Sequence, residues 1–120
     1  MAARAVSLAW TSPPFAVSME CFKGEDVLAT FTRNSTVDIT GWTLAFNLKR
    51  AHNDASALLT ITPSLLTPLS GIFTVALSAT QTGVTMATPG RYPWDIWRTD
   101  SGSYQMISYG FLNLLEDVRI

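Results

Sequence analysis

Hydrophobic and polar residues alternate with a period of two along most of this chain, which is the pattern of β-strands. In residues 42–49, large apolar side chains occupy every second position, and Thr, Ala, Asn and Lys lie between them. This segment is therefore predicted to be a strand with one buried face. Similar alternation predicts further strands at residues 15–20, 26–33, 58–62, 73–78, 91–99 and 104–118.

Turn-forming and helix-starting residues separate the predicted strands. Ser78-Ala79-Thr80-Gln81 fits the capping box, in which a Ser and a Gln side chain bond each other's backbone amides at the start of a helix. It predicts one helical turn over residues 82–86, which crosses from one sheet to the other. Asp100-Ser101-Gly102-Ser103 favours a hairpin turn, so the last two strands are predicted to form a hairpin.

About seven short strands with one helical turn predict an all-β fold, an immunoglobulin-like antiparallel β-sandwich. In that fold a Tyr near the start of the penultimate strand anchors the preceding corner through its hydroxyl, and Tyr92 is the predicted structural corner. A small barrel is the alternative, because alternation does not distinguish a closed sheet from two packed sheets. The sandwich domain is placed at residues 15–120, after an extended N-terminal arm at residues 1–14.

The arm is rich in Ala and ends in Pro13-Pro14, so it cannot pack a core alone. It is either ordered by lying on a neighbouring subunit or a frayed tail. The residues from Trp10 onwards interrupt its apolar run before a signal-peptide core is complete, so the arm is expected to be part of the mature protein. No run approaches the roughly 20 apolar residues of a transmembrane helix, and no membrane partner is expected.

Composition limits the classes of function. The chain has 120 residues, enough for one domain, with 14% charged residues and a net charge of -1. It therefore lacks the basic field that nucleic-acid backbones require, and no nucleic-acid partner is expected. Cys21 and His52 are each the single residue of their type, so no internal disulfide and no two-histidine metal site is possible. No metal and no cofactor are predicted.

Catalytic candidates are few. His52 lies in a predicted loop, without a nucleophile motif such as G-x-S-x-G nearby. The adjacent acidic residues Glu25-Asp26 and Glu116-Asp117 would point to opposite faces of a strand, while Asp38 and Asp100 stand at predicted turns. No catalytic residue is assigned, and the protein is expected not to be an enzyme.

Residues 55–90 contain no Asp, Glu, Lys or Arg, although much of this stretch is strand-like. An average soluble domain is about 25% charged, and exposed strands normally keep charges that discourage pairing with other chains. Here the outward positions, such as Thr74, carry Thr, Ser and Ala. The pattern predicts that other protein covers these faces in the working state.

Large aromatic residues are predicted on faces that point away from the core. In the strand at residues 91–99, Trp97 lies on the face opposite to Tyr92 and Trp94, together with Pro93, which favours an edge or a bulge. Trp97 is interpreted as an interface anchor, as a sugar-stacking platform, or as a side chain packed under a loop of its own domain.

The closing strand is apolar on both faces, as expected where a partner covers the sheet. Ile107, Tyr109 and Phe111 are predicted on one face, and Met106, Leu112 and Leu114 on the other. The candidate interface residues in the whole chain are Trp10, Phe15, Thr74, Trp97, Tyr104, Tyr109 and Phe111.

Three segments share turns and core alternation with a known group of proteins. They are Val37–Trp42, Gly71–Ser78 with Gln81-Thr82, and Gly90–Gly102 followed by Tyr109-Gly110. Together they resemble small β-sandwich structural proteins of tailed bacteriophages, especially the N-terminal domain of baseplate upper proteins. The resemblance runs from about residue 26 to residue 118 and implies a virion structural protein without catalytic residues.

Baseplate upper proteins usually continue into coiled-coil and receptor-facing regions, whereas this sequence ends at Ile120. The difference raises the alternatives of a capsid cement or decoration protein, or a small tail component. The expected partners are copies of the chain itself, as a homo-oligomer, and other capsid or tail proteins of the virion.

A second hypothesis belongs to another class of function. It is a carbohydrate-binding module in which Trp94, Trp97 and Tyr104 present a stacking surface for host glycans.

Overall fold

The computed structural model describes residues 4–10, 16–33, 37–51, 54, 56–86, 88–100 and 104–116. Nine strands form in these residues: β1 (Arg4–Trp10), β2 (Ala16–Phe22), β3 (Val27–Arg33), β4 (Leu44–Leu48), β5 (Leu59–Ile61), β6 (Ser64–Thr67), β7 (Ile72–Leu77), β8 (Gly90–Arg98) and β9 (Gln105–Leu115). A 3-10 turn at Pro68–Ser70 follows β6, and a π-helical turn at Gln81–Thr85 follows β7.

The strands build two sheets, with the order β1-β3-β7-β6 in sheet A and β2-β9-β8-β4-β5 in sheet B. This confirms the prediction of an all-β, immunoglobulin-like sandwich. Two edges differ from the predicted antiparallel arrangement, because β1 runs parallel to β3 and β2 runs parallel to β9. The chain passes from β1 to β3 through β2 in the opposite sheet, which is the long crossover that a parallel pair requires.

Two strands fall where the sequence pattern predicts none. β6 lies between Pro63 and Pro68, in a segment interpreted as a connection. β1 uses residues 4–10 of the predicted arm as the edge of sheet A, with Val6 and Leu8 packed against the core. Part of the arm therefore belongs to the sandwich, because its own alternation supplies inward side chains.

Aromatic side chains from both sheets meet in the core. Phe31 and Phe73 of sheet A stack with their ring centroids 4.9 Å apart. Trp94 of sheet B meets Phe31 edge-on at 5.7 Å and stacks on Phe46 at 5.8 Å. Trp94 therefore joins the sheets and determines which face of β8 points inward.

The predicted crossover and corner are both present. The Ser78 amide donates to Gln81 Oε1 at 2.8 Å, and the Gln81 amide donates to Ser78 Oγ at 3.1 Å, which is the reciprocal pair of a capping box. The turn links β7 of sheet A to β8 of sheet B, as predicted. The buried Tyr92 hydroxyl donates to the Met86 carbonyl at 2.5 Å and also contacts the Thr88 carbonyl. Tyr92 is therefore a tyrosine corner.

The prediction of an edge or a bulge at Pro93 is wrong, since β8 lies between β9 and β4. The Pro93 carbonyl accepts a bond from the Lys49 amide at 2.9 Å. In an antiparallel ladder the N–H and C=O of one residue point to the same neighbour. The missing donor of Pro93 therefore faces Lys49, just beyond the last β4 residue Leu48, so Pro93 removes one bond only at the end of this ladder.

A bulge does occur, in β9. Ile96 pairs with Ser108 and Trp97 pairs with Met106, so Ile107 is an extra residue. Ile107 is buried in the core, whereas Met106 lines the outer surface beside Tyr109. The predicted faces of Met106 and Ile107 are therefore wrong, because a bulge shifts the period of two by one residue.

The tyrosine corner leads to a stability prediction. Tyr92→Phe removes only the hydroxyl and deprives the carbonyl of the buried residue Met86 of a donor, so we expect a loss of about 1 to 2 kcal/mol in the free energy of unfolding. Urea unfolding followed by tryptophan fluorescence measures it. Tyr104→Phe makes the same change at a side chain that is 81% exposed and should cost less than about 0.5 kcal/mol. Equal unfolding midpoints for the two variants would contradict the corner.

Gly110 of β9 allows β2 to approach closely. A Cβ at Gly110 would lie 1.6 Å from the carbonyl oxygen of Val17 and 2.7 Å from its carbonyl carbon. These are backbone atoms, which cannot turn aside as a flexible side chain can. Only glycine therefore permits this parallel pairing at the edge of sheet B.

We expect Gly110→Ala to displace β2 and to cost about 3 kcal/mol or more, at the upper end of overpacking effects. Because Cys21 is a buried residue of β2, its alkylation by iodoacetamide should also accelerate. The control is Gly41→Ala, where an added Cβ meets no other atom. The φ of 83° at this position makes alanine cost only about 1 to 2 kcal/mol of backbone strain. The same stability and the same Cys21 reactivity in both variants would refute the close pairing.

Candidate protein interface

The outer face of sheet A carries uncharged side chains. Every second residue of a strand points away from the core, and the strand register aligns these residues in cross-strand rows. The rows are Ser7, Thr30, Thr74 and Ser64; Ala5, Leu28 and Ala76; and the pair Ala9 and Thr32. We call these nine residues the uncharged face.

Charged residues at the border of the uncharged face make contacts within the chain. Asp26 accepts a bond from the Ala79 amide at 2.7 Å, and the Arg33 guanidinium lies 4.9 Å from the centre of the Trp10 ring. Leu28, within the face, is 42% exposed. Covering this surface with protein would therefore bury small hydroxyls and apolar groups but none of the ionised groups that are costly to desolvate.

Sheet A also ends in an edge that is open to pairing. Natural edge strands usually carry charges, prolines or bulges that block pairing with another chain. β1 has none of these in residues 5–10, and its register with β3 is continuous. At the opposite edge, Leu66 of the short strand β6 is 62% exposed, and Leu69 of the following 3-10 turn is 67% exposed.

The outer face of sheet B is charged and aromatic. Trp97, Tyr109 and Phe111 are half-buried there, and the Arg91 guanidinium lies 4.0 Å from the centre of the Phe111 ring. Part of this aromatic surface is therefore covered by the chain itself. Beside it is a shallow depression of about 100 Å³, lined by Asn47, Lys49, Pro93, Trp94, Asp95, Met106 and Tyr109.

The structure separates the predicted interface residues into several places. Trp10 is 2% exposed and donates through Nε1 to the Gly71 carbonyl at 2.8 Å, so it stabilises its own domain instead of standing at the surface. Thr74 lies in the uncharged face. Phe15 lies outside the described residues.

The remaining predicted aromatic residues lie on or near sheet B. Trp97, Tyr109 and Phe111 share its outer face, whereas Tyr104 precedes β9 and is 81% exposed. Trp94 is 3% exposed, with its ring in the core. The expectation that Trp94 presents a stacking surface for glycans is therefore wrong, because the inward face of β8 packs against sheet A.

Sequence reasoning missed the polar residues of the depression. Alternation places Asn47 and Lys49 on the outward face of one predicted strand and Asp95 on that of another. The order of strands in sheet B puts β4 beside β8 and so brings these residues together. The signal was present in each strand separately, but local alternation carries no information on pairing.

The turn-associated carboxylate at Asp100 has a structural role. Arg98 donates to both of its oxygens, at 2.8 to 3.0 Å, and the Thr43 amide donates to it at 3.1 Å. The guanidinium of Arg98 also lies 4.0 Å from the centre of the Trp42 ring. This cluster ties the end of β8 to the segment that enters β4.

The other candidates for chemistry are accounted for where the structure describes them. Burial raises the pKa of the Cys21 thiol to about 11, so at neutral pH it is protonated and a poor nucleophile. His52 lies outside the described residues. Among the residues that are described, no three His, Cys, Asp or Glu side chains are placed to hold a metal ion together. None of the helical segments found there is long and apolar enough to cross a membrane.

Comparison with known proteins shows likeness in fold only. No protein-family model and no curated protein matches the chain. Among solved structures it is similar to an endo-β-1,4-mannanase from Thermotoga petrophila, with a TM-score of 0.51 and 13% identity over 83% of this chain and 18% of that chain. Reduced rusticyanin aligns over 95% of this chain and 81% of its own, with a TM-score of 0.40 and 13% identity. The chain thus spans less than a fifth of the mannanase.

The Arg98–Asp100 contact leads to a prediction for acid stability. Its hydrogen bonds lower the pKa of Asp100 from 3.8 to about 2. A carboxyl group with a lowered pKa stabilises the fold above its unfolded pKa, and this stabilisation is lost as the pH falls from about 4 to about 2. We expect Asp100→Asn to lower the melting temperature at pH 6 and to reduce its decline between pH 4 and pH 2. Thermal unfolding followed by circular dichroism measures both, and parallel declines in parent and variant would contradict the role of Asp100.

Proposed function

We propose that this chain is a non-enzymatic structural protein of a tailed-bacteriophage virion, as a capsid cement or decoration protein or a tail or baseplate component. It stabilises the particle by binding copies of itself and neighbouring virion proteins. The observation that carries the proposal is the uncharged face of sheet A. A sheet face without charges, next to an unprotected strand edge, is unusual for a protein that works alone in water.

The size of the uncharged face limits the strength of each contact. With strands about 4.8 Å apart and about 3.3 Å per residue, four strands of up to seven residues present roughly 400 Å². Two copies packed face to face would then bury about 800 Å² in total, half of a standard interface of about 1,600 Å². Single contacts are therefore weak, and stability comes from many contacts made together in a closed assembly.

The edge of β1 and the exposed leucines Leu66 and Leu69 extend this interface. An added strand from another protein would pair with the free backbone groups of β1, while the leucines would bury apolar area at the other edge. Together with the uncharged face they make sheet A a surface with three kinds of contact.

The virion location is supported by the resemblance in sequence to phage structural proteins. Several residues in the resembling segments have clear structural roles here. Gly71 accepts the bond from Trp10, Tyr92 holds the corner, and Gly110 admits β2. The resemblance therefore concerns residues that stabilise the sandwich.

Self-association through the uncharged face is testable by light scattering. We expect the average mass of the purified protein to rise with concentration up to about 0.5 mM, as a weak interface requires. Thr74→Glu places a carboxylate at the centre of the face. Because burying an unpaired charge costs about 3 kcal/mol or more, we expect self-association to weaken at least about 100-fold.

The matched control is Ser18→Glu, which adds the same charge at an exposed position of β2 on the opposite sheet. The average mass of this variant should rise with concentration in the same way as that of the parent protein. A parent protein that stays monomeric at every concentration, or equal effects of the two glutamates, would count against self-association through sheet A.

A further inference from the structure

The depression on the outer face of sheet B has a chemistry that the assembly role does not use. We propose that it binds one sugar residue of a neutral oligosaccharide. It lies on the opposite side of the sandwich from the uncharged face, so this proposal and the assembly proposal can fail independently.

A row of polar side chains crosses the sheet at the depression. The strand register places Thr60, Asn47, Asp95 and Tyr109 side by side on four neighbouring strands. Thr60 Oγ1 donates to Asn47 Oδ1 at 3.1 Å, and Asn47 Nδ2 donates to Asp95 Oδ1 at 3.3 Å. These bonds orient the amide and the carboxylate in advance, which lowers the entropic cost of binding a ligand.

The donors and acceptors suit neighbouring hydroxyl groups. Lys49 Nζ donates to the Asp54 carbonyl at 3.0 Å, which uses one of the three N–H donors of an ammonium group. The Asp95 carboxylate has acceptor capacity beyond its bond with Asn47. One sugar hydroxyl can therefore accept from Lys49 while the next donates to Asp95.

The charges favour a neutral ligand. Lys49 and Asp95 contribute one positive and one negative group to the lining of the depression. A phosphate or carboxylate ligand would gain attraction from Lys49 but would be repelled by Asp95 at close range. A sugar without ionised groups avoids this repulsion.

Apolar side chains border the polar row. Met106 and Tyr109 line one side of the depression and Pro93 another, and Trp97 lies directly opposite Met106 in the strand register. The face of an aromatic ring is electron-rich and attracts the C–H groups of a sugar ring. The bulge at Ile107 is what turns Met106 towards this surface, and bulges commonly re-aim side chains next to binding sites.

The size of the depression sets the length of the ligand and the strength of binding. Its volume of about 100 Å³ lies well below the roughly 300 Å³ at which the usual range of ligand pockets begins. It therefore accepts part of one sugar ring, and the rest of the saccharide lies over Trp97. We expect dissociation constants on the order of 1 mM for such a shallow site.

The test is a titration of the ¹⁵N-labelled full chain followed by NMR amide shifts. The probes are cellohexaose, maltohexaose and mannohexaose, with tri-galacturonic acid as an acidic comparison, each to about 10 mM, several times the expected dissociation constant. We expect at least one neutral probe to cause saturable shifts at Asn47, Lys49, Asp95 and Tyr109, and the acidic probe to cause none. No saturable shift with any neutral probe, or shifts confined to sheet A, would overturn the site.

Two variants test the residues of the site. Asp95→Asn keeps the shape but removes the charge, and Tyr109→Ala removes an aromatic wall, so each should weaken binding at least tenfold. Amide dispersion verifies folding, and Asp95→Asn keeps the test decisive if Tyr109→Ala does not fold. The matched control is Tyr104→Ala, an exposed Tyr outside the depression, which should change binding less than twofold. Equal weakening by Tyr104→Ala would place the sugar elsewhere and refute the proposal.

Discussion

Trp94 lies between the two sheets, with its ring centroid 5.7 Å from that of Phe31 and 5.8 Å from that of Phe46. This contact determines the orientation of β8, the strand between β9 and β4 in sheet B. Because side chains alternate along a strand, an inward Trp94 places Asp95 and Trp97 on the outer face of sheet B. The outer face of sheet B, with its polar depression and aromatic border, is thus a consequence of how the core packs.

The two outer faces of the sandwich have opposite chemistry. The uncharged face of sheet A can be covered by protein without burying ionised groups, and the face of sheet B keeps Lys49, Asp95 and Arg91 in contact with water. The proposed assembly role would use both properties, since one surface must tolerate burial and another must keep the particle soluble. Weak contacts of small area fit this arrangement, because an assembly with many copies gains its stability from their number.

The sequence-based predictions failed where one residue changed the period or the partner of a strand. The bulge at Ile107 exchanged the faces of Met106 and Ile107, and nothing in local alternation marks the extra residue. Pro93 indicated an edge strand, yet its missing donor faces Lys49 just beyond the end of β4, so the interior of the ladder stays intact. The composition of the segment containing Trp10 predicts an arm, although this segment pairs with β3 and buries Trp10.

Elements whose causes are local could be predicted from the sequence alone. Alternation located most of the strands, the capping box at Ser78 and Gln81 located the helical turn, and the position of Tyr92 located the corner. The order of strands in each sheet is visible only in the folded protein. The parallel edges, the uncharged face and the row from Thr60 to Tyr109 all follow from that order. A period of two assigns each side chain to a face, whereas the pairing of strands depends on packing between residues far apart in the chain.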